Sequence, residues 1–182
     1  MGDSCKKTRY HISVLSDTHG RLDNSLIHLI TGSDLIVHAG DIDTQEVLQT
    51  LKTIAPVVAV RGNMDRGEWA QDLKRTEVVN IGASLLYILH DPAELDLDPA
   101  AAGISIVVFG HLHKASMTYR EGVIYLNPGS PSFPRGKMPP SVAFLDVDRG
   151  RITPQFINLD RHRHNGSRRL TDSLFNPGPT DG

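Results

Sequence analysis

Seven side chains able to bind a metal ion follow five short apolar runs in this chain. Asp17 and His19 come after His11 to Leu15, and Asp41 comes after Leu35 to Val37. Asn63 comes after Val57 to Val60, and His90 closes Leu85 to Leu89. His111 and His113 come after Ile104 to Phe109. Carboxylate oxygen, amide oxygen and imidazole nitrogen together suit Mn, Fe, Zn, Co or Ni, with Mn the first expectation. The lack of thiolate donors argues against a structural zinc site. Seven donors suffice for two ions rather than one, and Asp41 is the best candidate to offer one carboxylate oxygen to each. Two carboxylates against two divalent cations leave an excess of about two positive charges. That excess would attract a hydroxide and an anionic substrate, and a metal pair ~3.5–4 Å apart would clamp a phosphoryl group.

Such donors work together only if the chain brings them together. Parallel strands of an α/β sheet end on one edge, so residues just past those ends converge. From Tyr10 the sequence alternates strand-like runs with helix-period segments, which predicts α/β. Leu22, Leu26, Ile27, Leu29 and Ile30 share one helical face, with Gly32 as the stop. Val47, Leu48, Leu51, Ile54 and Ala55 make a second face. Asp43 and Glu46 form an expected capping pair before it, and Pro56 ends it. A third, weakly patterned helix is expected from about Pro92 to Ala102. Gly82-Ala83, Glu121-Gly122 and Arg149-Gly150 each separate two β-rich runs and predict hairpins. The expected architecture is a parallel portion made early and an antiparallel portion added later, as two packed sheets.

Residues 10–160 are expected to form the domain, residues 1–9 a flexible leader and residues 161–182 a disordered, Arg-rich tail. The 182 residues are enough for one full core. A net charge of −2 gives no general reason to expect nucleic-acid binding. No apolar run is long enough to span a bilayer. The single Cys5 precludes an internal disulfide, and a cytoplasmic location is expected.

The ordered series Asp17-x-His19, Gly40-Asp41, Gly62-Asn63-x-Asp65, His90 and Gly110-His111-x-His113 resembles the signature of the calcineurin-like metallophosphoesterases. Ser16 to Gly20 and Asn127-Pro128-Gly129-Ser130 resemble its branch of small bacterial and archaeal phosphodiesterases, which is related to a retromer subunit. The resemblance covers roughly Tyr10 to Leu159. It implies a four-layer αββα sandwich, with two mixed sheets flanked by helices. It implies one metal on Asp17, His19, Asp41 and His113, and another on Asp41, Asn63, His90 and His111, with a hydroxide between them as nucleophile. Asn63 and His90 are the residues expected to take part in catalysis as well. Phosphate-ester substrates follow, and because the branch often forms dimers or tetramers, a homo-oligomer is an expected partner.

Two positions depart from that pattern. Met64 stands where strong phosphomonoesterases often carry a His that protonates the leaving oxygen. Asp91 and Pro92 stand after His90, where Gly is usual. Of the other histidines, His38 reads as a core residue or a support behind the ligands, and His11 and His28 as structural or exposed. Asp65 either orients a ligand through a hydrogen bond or shapes its own turn. Arg21, Arg66, Arg135 and Lys137 sit in loops where they could receive phosphate. Two alternatives stand beside a phosphodiesterase: a scaffold that kept the fold, and a nucleotide-specific phosphatase.

Overall fold

The computed structural model describes residues 7–160. The expected tail (161–182), Cys5 and the leader up to residue 6 lie outside the described residues. Strand β1, Arg9–Leu15, starts one residue before the expected boundary at Tyr10. It is followed by α1 (Asn24–Ile30), β2 (Leu35–His38), α2 (Gln45–Lys52) and β3 (Val57–Ala59). Then come β4 (Thr76–Ile81), β5 (Ser84–Leu89), β6 (Ile106–Val108), β7 (Ser116–Arg120) and β8 (Val123–Asn127). The hairpin of β9 (Ser141–Asp148) and β10 (Arg151–Asn158) closes the series.

These strands form two five-stranded sheets, in the orders β10-β9-β1-β2-β3 and β4-β5-β6-β8-β7. β1, β2 and β3 run parallel in the first sheet, and β5, β6 and β8 in the second. The expected division into an early parallel and a late antiparallel part is therefore corrected. The late hairpin β9–β10 pairs with β1, whereas β6 and β8 extend the parallel part of the second sheet. Strand β8 was legible only as one half of a hairpin with β7. Its parallel neighbour β6 lies well before it in the chain, and local turn chemistry carries no signal for such a pairing.

Ile12, Val14 and Val37 of the first sheet face Leu86, Ile88, Ile106 and Val108 of the second, making the central apolar layer. The outer face of the first sheet (Leu15, Ile36, Phe144) is covered by Leu26 and Ile30 of α1 and Leu48 and Leu51 of α2. Asp23 caps α1 by accepting from Leu26 N at 2.8 Å. The other outer face (Tyr87, Leu89, Val107) packs against Leu95, Ala100 and Ile104. That fourth layer is irregular. The expected helix from Pro92 to Ala102 is only a 3-10 turn, Pro92–Glu94. Pro99 disfavours helical backbone at Asp98, whose carboxylate instead accepts from Ala100 N and Ala101 N. Among the described residues no helix is long and apolar enough to cross a membrane.

Candidate metal centre

All six parallel strands end toward one place, three from each sheet. The loops after β1 and β2 continue pairing beyond the strands, through Asp17 N to Gly40 O (3.0 Å) and His19 N to Asp41 O (3.1 Å). Gly110 N donates to His90 O at 2.9 Å, which joins the loops after β5 and β6. His111 N donates to Asp17 Oδ1 at 3.2 Å and ties the two sheets' loops together.

The backbone at this junction is unusual. Asp17, His19, Asp41, Asp43, His111 and His113 all have left-handed φ, between 46° and 70°. These are three pairs with one spacing, x-Asp-x-His, x-Asp-x-Asp and x-His-x-His, and non-glycine residues rarely adopt this conformation. Such local cost persists where the surroundings enforce it, and here it turns alternate side chains into the same cleft. The glycines beside them reflect crowding. A Cβ on Gly62 would overlap Asp41 N and Oδ1, and one on Gly110 would overlap Ser16 Oγ.

Asp17, His19, Asp41 and His113 each offer one ligand atom, and these atoms all lie within 4.8 Å of one another. His19 Nδ1 donates to Asp43 Oδ2 at 3.0 Å, and His113 Nδ1 donates to Phe133 O at 2.7 Å. Both Nδ1 atoms thus carry a proton, so the Nε2 atoms, which face each other at 3.2 Å, present lone pairs when the rings are neutral. His113 Nε2 also lies 3.2 Å from Asp17 Oδ1. Asp17 Oδ2 is buried without a hydrogen-bond partner. Acceptors facing acceptors in a buried cleft call for a cation.

The remaining candidates meet alongside. His90 Nδ1 donates to Ala39 O at 2.8 Å, so its Nε2 is the atom that faces Asn63 Oδ1 (3.0 Å) and Asp41 Oδ2 (3.3 Å). His111 is turned the other way. Its Nδ1 lies 3.1 Å from Asn63 Oδ1, and its Nε2 points toward Asp91 Oδ2, 3.8 Å away. The structure therefore brings all seven candidates together, with Asp41 between the two groups. Burial pulls the His90 imidazole down, but its hydrogen bond to Asp41 and that residue's charge outweigh this and raise its pKa. Burial pushes Asp41 up, but His90 and the Met64 N–H hold it below the ordinary carboxylate value. Asp17 is raised by burial, which exceeds the opposing effect of His113. Divalent metal binding fits this donor set.

Supporting residues hold the loops. Asp65 accepts from Asp41 N (3.1 Å), Ile42 N (2.7 Å), Asp43 N (2.8 Å) and Gly62 N (2.7 Å). It therefore fixes the backbone that carries Asp41 rather than a ligand side chain. Ser130 Oγ donates to Asp17 O at 2.7 Å, and Asn127 Nδ2 donates to Gly110 O at 2.6 Å. The Asn-Pro-Gly-Ser turn lies here because β8 is parallel to β6. Buried His38 contacts Thr18 Oγ1 at 3.0 Å, and burial pushes its pKa down to about 3, so it is a neutral core residue. His11 is bound to Asp146 and stacked on Phe144, and His28 is exposed on α1. Asp43 does not cap α2, whose N-cap residue is Thr44, without a side-chain bond. Asp43 orients His19 instead. Sequence reading also missed the carbonyls of Ala39 and Phe133 and the contact of Asp91. Asp43 had a sequence signal in the repeated one-residue spacing, and Asp91 stood out as the residue after His90.

A family model described as the calcineurin-like phosphoesterase superfamily domain matches residues 11–150. A probable metallophosphoesterase of Methanothermobacter thermautotrophicus is 30% identical over 158 residues, covering 80% of this chain and 91% of the relative. Phosphodiesterase YfcE of Escherichia coli K12 is 32% identical over 114 residues, 57% of this chain and 60% of the relative. Among solved structures, Vacuolar Protein Sorting 29 from Cryptosporidium parvum shares the fold, with a TM-score of 0.69 at 20% identity. That match covers 83% of this chain and 98% of the other.

Proposed function

The chain belongs to the calcineurin-like phosphoesterase superfamily, and from that premise we propose that it is a phosphodiesterase working with two divalent cations, manganese ahead of Fe, Zn, Co or Ni. It is a metal-dependent phosphoric ester hydrolase. Asp17, His19, Asp41 and His113 would hold one ion, and Asp41, Asn63, His90 and His111 the other. The observation that carries this reading is the 3.2 Å approach of two imidazole Nε2 atoms, those of His19 and His113, beside an unpartnered Asp17 oxygen.

When bound, such a pair supplies a water of lowered pKa as the nucleophile and offsets charge on the phosphoryl oxygens. The protein's own part is positional. Asp43, Phe133 O and Ala39 O accept from the outward nitrogens of His19, His113 and His90, which leaves the inward nitrogens for a metal. Asp91 Oδ2 lies 3.8 Å from the outward nitrogen of His111. Asp65 holds Asp41 at the centre. Asn63 is exposed at the open side, with the buried His90 Nε2 3.0 Å from its Oδ1, and in this reading both would face the reacting group. The scaffold reading is the weaker one, because no donor of the series is missing. Residues 10–160 are the catalytic domain in this reading, acting in the cytoplasm on a phosphate ester and without a nucleic-acid partner.

Elemental analysis followed by a hydrolysis screen of phosphodiesters and monoesters with Mn tests the proposal. Cleavage of an aryl diester by protein holding two ions per chain is expected. Two bound ions with no hydrolysis of any ester would favour the scaffold.

A further inference from the structure

Four loop cations stand near the strand ends, and the structure separates one from the rest. All four are exposed, and among the described residues no aromatic ring lies beneath Arg66, Arg135 or Lys137. The Arg21 guanidinium lies over the Phe133 ring, with Cζ 4.8 Å from its centroid. The edge of that ring packs against His19, at 5.4 Å between centroids and 85° between planes. Phe133 is itself fixed. Its N–H donates to Ser130 Oγ at 2.8 Å, and its carbonyl accepts from His113 Nδ1 at 2.7 Å. Arg21 is tied at its backbone, where N donates to Thr18 O at 3.0 Å and O accepts from Ser132 Oγ at 3.4 Å.

A guanidinium over an aromatic ring needs no oxygen acceptor for that contact, so its N–H donors stay available. Among the described residues no carboxylate or carbonyl accepts from the Arg21 side chain. A planar fork of free donors is thus held on a ring that touches two candidate ligands, His19 through its edge and His113 through its carbonyl. We propose that Arg21, mounted on Phe133, is a substrate-binding residue that takes phosphate oxygens at the His19 side of the metal centre. The fork matches two oxygens of one phosphate, a geometry that the ammonium of Lys does not reproduce. This rests on the phosphodiesterase reading for its substrate class, but its geometry stands independently.

Titration calorimetry of inorganic phosphate into the Mn-loaded protein tests it. Arg21→Ala should raise the phosphate Kd about tenfold, and Arg21→Lys should recover only part of the loss. Mn affinity should stay within about twofold, because no metal donor is changed. Phe133→Leu should also raise the phosphate Kd, whereas Phe133→Tyr, which keeps the ring face, should not. Wild-type phosphate affinity in Arg21→Ala would overturn the proposal, as would a wild type that binds no phosphate. Mn and phosphate affinities falling together would also overturn it, since Arg21 would then act by bracing His19. Unchanged phosphate affinity in Phe133→Leu would overturn the mounting on the ring. Diester turnover by the wild type, measured in parallel, reports on the enzymatic reading alone. Arg21-dependent phosphate binding without turnover would sink that reading and leave this inference in place.

Discussion

The Nε2 atoms of His19 and His113 face each other at 3.2 Å, each on a ring whose other nitrogen already donates to an acceptor. As neutral rings, neither can donate to the other without a change of tautomer that would break its bond at Nδ1. The residues that fix the tautomers, Asp43 and the Phe133 carbonyl, belong to separate loops. The demand for a cation is therefore built into the fold and not into the two histidines.

Asp41 lies between the two groups of donors, so its loss should reach both. Protein prepared with Mn should contain two ions per chain, and Asp41→Ala should weaken both sites. Elemental analysis and calorimetry with Mn check this. One ion per active chain, or full activity in Asp41→Ala, would refute it.

Asp91 occupies the position where the family pattern usually has Gly, and it faces the outward nitrogen of His111 at 3.8 Å. Its second oxygen accepts from Ala93 N at 2.9 Å, which fixes the carboxylate. Asp91→Ala should remove the carboxylate beside His111 and weaken one Mn site by about tenfold while sparing the other. Equal affinities in wild type and variant at both sites would count against this role.

Asp65 satisfies four backbone N–H groups with one buried carboxylate. Asp65→Ala leaves those donors without an acceptor. The expected loss is about 2–4 kcal/mol of stability, less than four full penalties because water can enter the gap. Chemical denaturation of the metal-free protein measures it, and a loss under about 1 kcal/mol would contradict the structure.

His38 gives a pH signature. Its folded pKa is near 3 because it is buried, whereas the unfolded chain takes up the proton near 6.5. Its contribution is therefore fully present above pH 6.5 and is lost progressively as pH falls from 6.5 toward 3. His38→Asn should flatten the dependence of stability on pH across that window, relative to wild type, in metal-free protein. Parallel profiles for the two proteins would refute the assignment.

Met64 is 43% exposed at the rim, and its N–H, not its side chain, serves the site by donating to Asp41 Oδ1 at 2.8 Å. A thioether cannot protonate a leaving oxygen. Rates should therefore depend steeply on the leaving group, with aryl diesters cleaved well and alkyl monoesters poorly. Met64→His should help poor leaving groups most. The measurement is kcat/KM across phenols of graded pKa, and a flat wild-type series at a chemistry-limited rate would rule this out.

By itself the sequence determined which residues meet. Side chains just past parallel strands must gather at one edge, so the ordered series from Asp17 to His113 named the candidates that gather there, and the three Gly-containing links named the hairpins. Its periodic segments also located α1 and α2. It failed where local signals compete with distant ones. The expected helix from Pro92 yielded to Pro99 and to the carboxylate of Asp98. Strand β8 joined β6, a pairing decided by burial between the sheets and not by its own turn. Only the tertiary structure decided how each donor is aimed. The left-handed backbone at the three spaced pairs, the tautomer of each ring and the choice of Arg21 among four cations depend on partners far apart in the chain. Asp43, Ala39, Phe133 and Asp91 reach the candidate ligands through loops set by two packed sheets. A hydrogen bond or stacked ring of that kind has no local signature, because its free energy is gained only once the sheets have closed on each other.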